Sequence, residues 1–402
     1  MKFRKVRLCD LCSIVTDYVA NGSFKTLANK VKYLNEGYAR VIRLVDYNNK
    51  YSKKDSIWVS KESYEFLKKS KLYGGEIVLT NVGANLGTVF IAPQLEYPTT
   101  LGPNAIMIKT NENDKYLYYW LKSKNGQNTI KSIVTGSAMP KFNKTDLKNI
   151  EIAIPCIEDQ DKIVEILSNI DKKIELNNQT NDNLYELGDV LYKEYYSKYE
   201  NELPNGYKYL NLNEVSVNFD SKRKPMSSRE REQHKGIYPY YGATSIIDYV
   251  DDYIFDDTYL LMGEDGTVKT NEGYPVLQYI WGKSCINNHT HVLQGTIIST
   301  EHLMFALRKK NIETLITGAV QPKINQENMN KIKIIIATDD INIKFEEQIK
   351  IIVDKIKFNS IENITLTQLR NTLLPKLMNG KIDLNKIEVW RWIYLKQQIS
   401  MD

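Results

Sequence analysis

The chain contains one passage twice: TGSAMPKFNKTDLKNIEIAIP begins at Thr135, and TGAVQPKINQENMNKIKIIIA begins at Thr317. The two copies start 182 residues apart, and eight of their 21 aligned positions are identical. Near the end of both copies Ile recurs at alternate positions, which is typical of a strand with one buried face. The repeat period is much longer than the roughly 20–50 residue units of solenoids and propellers. The chain of 402 residues is therefore predicted to contain a duplicated domain.

A long helical segment is predicted after each copy, and in both segments every fourth and third residue in alternation forms one stripe, which we call the seam. This spacing is typical of a coiled coil. The second seam is the first one shifted by 182 residues. The seams comprise Ile163, Leu167, Ile170, Ile174, Asn177, Asn181, Leu184, Gly188 and Leu191, and then Phe345, Ile349, Ile352, Ile356, Asn359, Asn363, Leu366, Arg370 and Leu373.

The two helices are predicted to pair with each other in antiparallel orientation, because a tandem duplication can form an internal pseudo-two-fold in that way. Asn177 is then expected beside Asn363, and Asn181 beside Asn359. Buried Asn in such a seam lowers stability but fixes the register of the two helices. The alternative is that each helix packs separately against its own domain.

The segments on either side of the first helix combine strand and helix patterns, which indicates an α+β fold with two mixed domains. GEIVLT and GTVFIA, within residues 75–92, are typical of strands, and YLYYWLKSKNGQNTI, which begins at Tyr116, is typical of one helix. Both segments contain a hairpin marked by glycines, at VGANLGTVF and at MGEDGTVK. Beyond these shared features the two segments diverge, which suits one scaffold that carries two different recognition surfaces.

Charged residues are distributed unevenly along the chain. Residues 1–155 contain 24 Lys and Arg against 13 Asp and Glu, a net charge of +11 that favours a polyanionic partner. Residues 201–338 contain 15 against 16, so binding there is predicted to depend on a local basic cluster. Its members are Lys222, Arg223, Lys224, Arg229 and Arg231.

Composition also restricts the location of the protein. No run of about 18 apolar residues is present, so we expect no membrane span. Four cysteines in 402 residues do not indicate a disulfide framework, and we expect a reducing, cytoplasmic compartment.

The sequence lacks a recognisable catalytic set. No two prolines are adjacent, so the Pro-Pro loop of amino-methyltransferases is absent, and no glycine-rich cofactor loop is present. WGKS at Trp281 lacks the glycine that a phosphate-binding loop requires five residues before its own. We predict no metal site, because the Cys9–Cys12 pair stands alone and His289 and His291 lie in an apparent strand.

Taken together, these motifs resemble the DNA specificity (S) subunit of type I restriction-modification systems over nearly the whole chain. The resemblance rests on the repeated passage, on the helix EDQDKIVEILSNIDKKIELNNQTNDNLYELGDVLYK, on LRNTLLPKLMNGKIDL at Leu369 and on YPYYGATSIIDYVDDYIF at Tyr238. It implies two target recognition domains, each reading one half of a bipartite site on double-stranded DNA, separated by an antiparallel two-helix spacer. It further implies two modification subunits that use S-adenosylmethionine, and restriction subunits that use ATP and Mg²⁺, with no cofactor in this chain.

The predicted domain boundaries follow from the repeat. The first recognition domain covers residues 1–155 and the first spacer helix covers residues 156–200. The second recognition domain covers residues 201–338, the second spacer helix residues 339–384, and a tail without a counterpart in the first half residues 385–402.

We predict DNA contacts from Lys222, Arg223, Lys224 and Arg229, and from the repeated Lys141 and Lys323. Three alternatives stay open from the sequence. The chain could serve a related system that only methylates DNA, it could be a divergent DNA methyltransferase or nuclease, or it could be a coiled-coil adaptor without sequence preference.

Overall fold

The computed structural model describes residues 1–318 and 320–384. The chain divides into two compact units, unit 1 with residues 1–174 and the described residues from 364 onward, and unit 2 with residues 175–363. Each unit combines one mixed domain with a segment of both long helices. The predicted tail, residues 385–402, lies outside the described residues.

The first mixed domain belongs to unit 1 and precedes the first long helix. Its strands and helices are β1 (Arg4–Arg7), α1 (Leu8–Leu11), β2 (Cys12–Asp17), α2 (Phe24–Lys30), β3 (Tyr33–Leu34), β4 (Ala39–Ile42), α3 (Leu44–Asn48), β5 (Ile57–Val59), α4 (Lys61–Phe66), β6 (Lys71–Leu72), β7 (Ile77–Thr80), β8 (Val89–Ile91), β9 (Thr99–Leu101), β10 (Ala105–Thr110), α5 (Asp114–Lys122), α6 (Lys124–Ser132), α7 (Lys144–Lys148) and β11 (Glu151–Ile154).

The second mixed domain belongs to unit 2 and lies between the two long helices in the chain. The elements from the first long helix onward are α8 (Ile157–Tyr195), β12 (Lys208–Asn211), α9 (Leu212–Val215), β13 (Ser216–Asn218), α10 (Ser228–Gln233), β14 (Lys235–Tyr241), β15 (Ile246–Val250), β16 (Phe255–Asp256), β17 (Tyr259–Gly263), β18 (Leu277–Ile280), β19 (Lys283–Ile286), β20 (Thr290–Gly295), α11 (Thr300–Arg308), α12 (Gln326–Asn330), β21 (Lys333–Ile336) and α13 (Asp339–Met378).

Both mixed domains contain the same scaffold. A four-stranded antiparallel sheet has the order β2-β10-β7-β8 in the first domain and β13-β20-β17-β18 in the second. A two-stranded sheet joins the first strand of each domain to the last, as β1-β11 and β12-β21. The alternating Ile residues of the repeated passage form β11 and β21, where they alternate with less buried neighbours in β11. The predicted duplication is confirmed.

The remaining sheet of each domain differs. The first domain has a five-stranded sheet of order β3-β5-β4-β9-β6, and the second has a four-stranded sheet of order β15-β14-β19-β16. These strands come from the stretches in which the two halves of the sequence diverge. We call them the variable sheets, because they are not part of the scaffold that the two domains share.

The long helices α8 and α13 run antiparallel in unit 2. The Asn177 side chain donates to Asn363 Oδ1 at 2.9 Å, and Asn359 donates to Asn181 Oδ1 at 2.8 Å. Further along, Tyr196 Oη donates to Asn342 Oδ1 at 2.9 Å. Residue numbers therefore rise along one helix while they fall along the other, as the antiparallel prediction requires.

The pairing of the four Asn residues has the symmetry of a two-fold. Adding 182 to Asn177 and subtracting 182 from Asn363 turns this pair into Asn359 and Asn181, which is the other hydrogen-bonded pair. Three of the four side chains are buried and Asn363 is half-buried, and none of the 18 seam residues is exposed. That these Asn residues fix the register stays a prediction.

Polar seam positions have local explanations. In unit 1, Arg370 donates to Asp171 Oδ1 at 2.7 Å, and Tyr119 of α5 donates to Asp171 Oδ2 at 2.6 Å. In unit 2, a Cβ atom on Gly188 would lie 2.2 Å from two ring carbons of Phe305 on α11. Both residues interrupt the apolar seam because a mixed domain packs against the long helices there.

One helix prediction is wrong. The stretch from Tyr116 forms two helices, α5 and α6, instead of one. Ser123 adopts an extended conformation between them, and its Oγ accepts a hydrogen bond from the Gly126 amide as the N-cap of α6. A Cβ atom on Gly126 would lie 2.1 Å from the Trp120 carbonyl oxygen, so the sharp corner needs both a capping Ser and a Gly.

His302 on α11 lies among the aromatic side chains of the long helices in unit 2. Its ring centroid is 4.9 Å from that of Tyr196 and 4.8 Å from that of Phe345. Nδ1 is 3.2 Å from Glu346 Oε1, which also accepts from the Ser299 amide at 2.8 Å. Complete burial lowers the pKa of His302, and Glu346 opposes this less strongly. The imidazole is therefore neutral at pH 7, with Nδ1–H donating to the carboxylate.

Gly188→Ala tests the close packing of α11 on α8. Alanine favours a helix by about 1 kcal/mol over glycine, but its methyl group overlaps a buried ring, and overpacking costs roughly 1–3 kcal/mol. We expect a lower free energy of unfolding by chemical denaturation, and a smaller loss when Phe305→Leu opens space. Glu186→Ala, at an exposed position of the same helix, is the control. A Gly188→Ala protein as stable as the wild type would contradict this packing.

The Asn pair at the centre of the seam gives a second test. Asn359→Leu removes the donor to the buried Asn181 carbonyl, so we expect a loss of about 1–3 kcal/mol of unfolding free energy. Replacing both residues by Leu is expected to restore or exceed wild-type stability, because no unpaired polar group then remains. Asn183→Leu, at an exposed site, controls for the added apolar area. Equal stability of the single and double variants would argue against the hydrogen bond.

The lowered pKa of His302 predicts a dependence of stability on pH. As pH falls below the ordinary value of 6.5, the unfolded chain binds a proton that the folded chain excludes, so stability falls, by up to about 1.4 kcal/mol per pH unit. His302→Asn keeps a donor toward Glu346 but cannot titrate. Its unfolding free energy is expected to fall less than that of the wild type between pH 7.5 and 5. Parallel curves would show that His302 is not kept neutral.

Candidate nucleic-acid interface

The repeated passage forms the same loop in both domains. Thr135 and Lys141 exchange two backbone hydrogen bonds of 2.8 and 2.9 Å, and Thr317 and Lys323 exchange two of 2.8 Å. In each loop the glycine after the threonine has φ +86°, a conformation that glycine adopts without strain. The repeat therefore encodes a closed turn.

Each turn docks on the glycine-marked hairpin of its own domain. The amide of Gly83 donates to the Pro140 carbonyl at 2.9 Å, and that of Gly266 donates to the Pro322 carbonyl at 3.0 Å. The similarity of the two passages therefore has a structural cause. In the first domain the turn holds the hairpin between β7 and β8, and in the second domain it holds the hairpin between β17 and β18.

The two repeated lysines have different surroundings. Lys141 is exposed, and its side chain forms no hydrogen bond or ion pair with another described residue. Lys323 Nζ lies 3.2 Å from Glu264 Oε1, with about half of its side chain exposed. The ammonium group of Lys141 is free to meet a ligand, whereas that of Lys323 is shared with a carboxylate of its own domain.

Arg223 belongs to a network of charged groups inside the second mixed domain. Its guanidinium donates to Glu264 Oε2 at 2.6 Å and to the Thr290 carbonyl at 2.9 Å. His291 is hydrogen-bonded at both ring nitrogens, to Asp220 Oδ2 at 2.6 Å and to a backbone carbonyl at 2.9 Å. The structure thus places Arg223, predicted as a DNA contact, mainly among internal partners.

Asp220, Glu264 and His291 present ligand atoms within 4.8 Å of one another, a spacing that could hold a metal ion. Burial acts to raise the pKa of the Glu264 carboxyl, but the hydrogen bond from Arg223 and the nearby His291 and Lys323 lower it below its ordinary value. Burial opposes ionisation of Asp220 too, and the bond with His291 lowers its pKa. The carboxylates are therefore ionised and already matched by protein donors, which fits an ion-pair network.

The other members of the basic cluster face solvent. Lys222, Lys224 and Arg229 are exposed, and Lys222 Nζ lies 4.8 Å from the centre of the Phe219 ring. Lys224 and Arg229 form no side-chain hydrogen bond or ion pair with another described residue. The backbone of Lys224 is held in place, since its carbonyl accepts from the buried Tyr240 hydroxyl at 3.0 Å. These three cations remain available to a polyanion.

The nearby acidic stretch neutralises the end of the cluster. Asp248 accepts from Arg231 at 3.1 Å and from Lys235 at 2.7 Å, and Asp251 lies 3.1 Å from His234 Nδ1. The hydrogen bond from Lys235 is the largest cause of the lowered pKa of Asp248. The cations of the basic cluster that lack an internal carboxylate partner are therefore Lys222 and Lys224, before α10, and Arg229, in its first turn.

The first mixed domain has a basic loop that the sequence analysis did not single out. It follows α3 and exposes Lys50, Lys53 and Lys54. None of the three forms an ion pair with another described residue. The composition NNKYSKKD, from Asn48 to Asp55, was the available signal.

Large apolar side chains lie exposed on the long helices. Within unit 2 they occur on both α8 and α13, and Ile351 is exposed to 74%. Contiguous apolar patches on a protein surface are typical of partner surfaces, whereas single exposed apolar residues are ordinary. We call this set the exposed helix face: Leu176, Leu187, Val190, Ile343, Ile351, Phe358 and Ile361.

Comparison with known families identifies the fold. The type I restriction modification DNA specificity domain matches twice, over residues 2–186 and 204–371. The chain belongs to this family. Each match begins at the first strand region of a mixed domain and continues into the long helix that follows, so the family's domain corresponds to the repeated half.

Specificity subunits of type I restriction enzymes are similar to this chain, one of them along most of its length. The chain is 25% identical to the MjaIX specificity subunit of Methanocaldococcus jannaschii over 346 residues, which are 78% of this chain and 79% of the relative. It is 33% identical to a putative specificity subunit of Haemophilus influenzae over 124 residues, 31% of each chain.

A solved structure agrees at the level of the fold. The crystal structure of the type I restriction-modification S subunit from M. genitalium has a TM-score of 0.54 and 17% identity, and the match covers 94% of this chain and 96% of that one. The α+β architecture with long antiparallel helices is therefore shared within the specificity domain family.

Membrane-spanning helices are absent from the described part of the chain. Neither α8 nor α13, nor any shorter helix there, combines the length and the apolar character that crossing a bilayer requires.

Proposed function

We propose that the chain reads DNA sequence for a type I restriction-modification enzyme, with each mixed domain contacting one half of a bipartite site on double-stranded DNA. The observation that carries this proposal is the repeated scaffold with unlike variable sheets. A repeated scaffold can present two readers in equivalent ways, whereas two different sheets distinguish two different base sequences.

Charge supports DNA as the ligand. Residues 1–155 have a net charge of +11 from 24 basic and 13 acidic residues, and phosphate contacts supply much of the affinity of DNA-binding proteins. Lys141, Lys222, Lys224 and Arg229 are the exposed candidates for such contacts. Arg223 and Lys323 are proposed to act from within the Glu264 network, by positioning the β17 hairpin at the surface. Because the DNA of the host lies in the cytoplasm, we propose that the protein acts there.

The exposed helix face supports partner proteins. We propose that two modification subunits dock on α8 and α13, covering residues such as Ile351 and Phe358, and supply methyl transfer from S-adenosylmethionine. Restriction subunits would add ATP and Mg²⁺-dependent translocation and cleavage. The chain itself would hold no cofactor and perform no chemistry.

The antiparallel helices would set the distance between the half-sites. In this proposal the Asn pairs allow only one register of α8 against α13. A single register fixes the separation of the mixed domains that the helix ends carry. A register error of one heptad would displace the ends by about 10 Å, at ~1.5 Å per residue. In this proposal the four Asn residues therefore contribute to sequence specificity without touching DNA.

Methylation mapping tests the function directly. The chain and its modification subunit, co-expressed in a host without other methyltransferases, are expected to methylate one bipartite sequence with a fixed gap. Adding one heptad at matched positions of α8 and α13 keeps the seam in phase and lengthens it by ~10.5 Å, so the gap is expected to grow by about 3 bp at ~3.4 Å per pair.

Two results would contradict the proposal. A methylated sequence that is continuous, or no sequence preference at all, would exclude bipartite reading by two domains. An active heptad variant with an unchanged gap, compared with the wild-type complex mapped in the same host, would exclude the helices as the spacer. Methyl transfer by the purified chain alone would show that it is itself an enzyme.

A further inference from the structure

We infer that the loop between α3 and β5, residues 49–56, is a preformed phosphate-binding element of the first mixed domain, with Lys50, Lys53 and Lys54 as its contacts. The inference rests on the proposed function and names where DNA is held.

The backbone of this loop is strained. Lys50, Tyr51 and Asp55 have φ values of 49°, 57° and 58°, a left-handed conformation that residues with a Cβ rarely adopt. One further non-glycine residue in the described chain has a positive φ, Asn104. Strain of this kind persists only where the surroundings enforce it, and it is concentrated at functional sites.

A buried arginine enforces the conformation. Arg40 on β4 is fully buried, and its guanidinium donates to the carbonyls of Tyr51 and Ser52, both at 2.7 Å. It also donates to Asp46 Oδ1 at 3.0 Å, and the Asp46 side chain is itself buried. Burying a charge is costly unless it is paired and hydrogen-bonded, and here the pairing holds the centre of the loop.

A second arginine holds the end of the loop. Arg43 donates from Nε to Asp46 Oδ2 at 2.8 Å and from its terminal nitrogen to the Asp55 carbonyl at 2.9 Å. Asp46 thus joins two guanidinium groups, and those groups bind backbone carbonyls at three points of one short loop. The acid that these guanidinium groups bind, Asp46, is buried and does not pair with the exposed lysines of the loop.

On the outer surface of the loop the exposed lysines outnumber the acidic residues. Lys50, Lys53 and Lys54 are exposed and without ion pairs among the described residues, and Asp55 is the single acid between Asn48 and Ser56. Lys53 Nζ lies 5.9 Å from the centre of the Tyr97 ring, which leaves its hydrogen-bond donors free. Three ammonium groups on a fixed backbone can contact the phosphates of a DNA strand, and a preformed loop loses little entropy on binding.

The position of the loop agrees with this role. It connects α3, which follows β4, to β5, and both strands belong to the variable sheet of this domain. Lysines that hold phosphates there would place the surface that differs between the two domains next to the bases. Such contacts position a protein on the duplex and carry no sequence information themselves.

The test uses the complete complex of the chain with its modification subunit. A triple variant, Lys50→Gln, Lys53→Gln and Lys54→Gln, removes the charges at exposed positions and keeps the backbone. The matched control, Lys115→Gln, Lys124→Gln and Lys131→Gln, removes three exposed charges from the scaffold helices α5 and α6. Affinity for a duplex with the methylated sequence is measured over a range of salt concentrations, and methylation is mapped in the host.

The loop variant is expected to bind about tenfold more weakly or worse, and the slope of log affinity against log salt is expected to fall by up to ~0.9 per lost phosphate contact. The methylated sequence and the gap should not change. The control should retain an affinity and a slope closer to those of the wild type.

Equal affinity and slope for the loop variant and the control would overturn the inference. So would a loop variant that no longer assembles with the modification subunit, as measured by light scattering, because the loop would then bind protein. If the wild-type complex shows no preference for one duplex, the proposed function itself fails. A preference in the wild type together with an unaffected loop variant rejects this inference alone.

Discussion

The antiparallel contact between α8 and α13 is the interaction on which the other features of this protein depend. Within unit 2 it includes two Asn–Asn hydrogen bonds of 2.8 and 2.9 Å that the repeat relates to each other. The helices are also the surface on which the mixed domains pack. In unit 2 the Asp189 carboxylate of α8 accepts two hydrogen bonds from Arg308 of α11, at 2.9 and 3.3 Å, and in unit 1 Asp171 accepts from Tyr119.

These contacts explain why the helices tolerate polar and small residues in a seam that a simple coiled coil would fill with leucine. Gly188 leaves room for Phe305, and Arg370 meets Asp171. Gly188 gives up apolar burial and gains close packing with α11. Arg370 gains an ion pair with Asp171 of α8, which also accepts from Tyr119 of the first mixed domain. The seam is therefore a compromise between helix pairing and domain docking, and the residues involved differ between the two units because the docked surfaces differ.

Each mixed domain divides into a scaffold that both domains share and a variable sheet that differs between them. The scaffold includes the turn of the repeated passage, which closes on the glycine hairpin through the carbonyls of Pro140 and Pro322. Strands of the variable sheets enter and leave this scaffold through loops, so they can differ in number and order without disturbing its hydrogen bonds. The buried Arg40–Asp46 pair shows how such a sheet can hold its own strained loop.

The sequence by itself determined the duplication, the two long helices, their antiparallel pairing and the matched Asn positions. Repeats and seam spacing can be recognised from the order of the residues alone. It did not determine the break at Ser123, since that corner depends on contact between Gly126 and Trp120. Only the tertiary structure decided which cations are free. Arg223 and Lys323 both face the Glu264 carboxylate, which lies 41 and 59 residues away from them in the chain. Lys50, Lys53 and Lys54 are exposed on a loop whose backbone carbonyls accept from Arg40, ten or more residues earlier in the chain. Charge pairing and left-handed backbone are properties of neighbours in space, which residue order does not reveal.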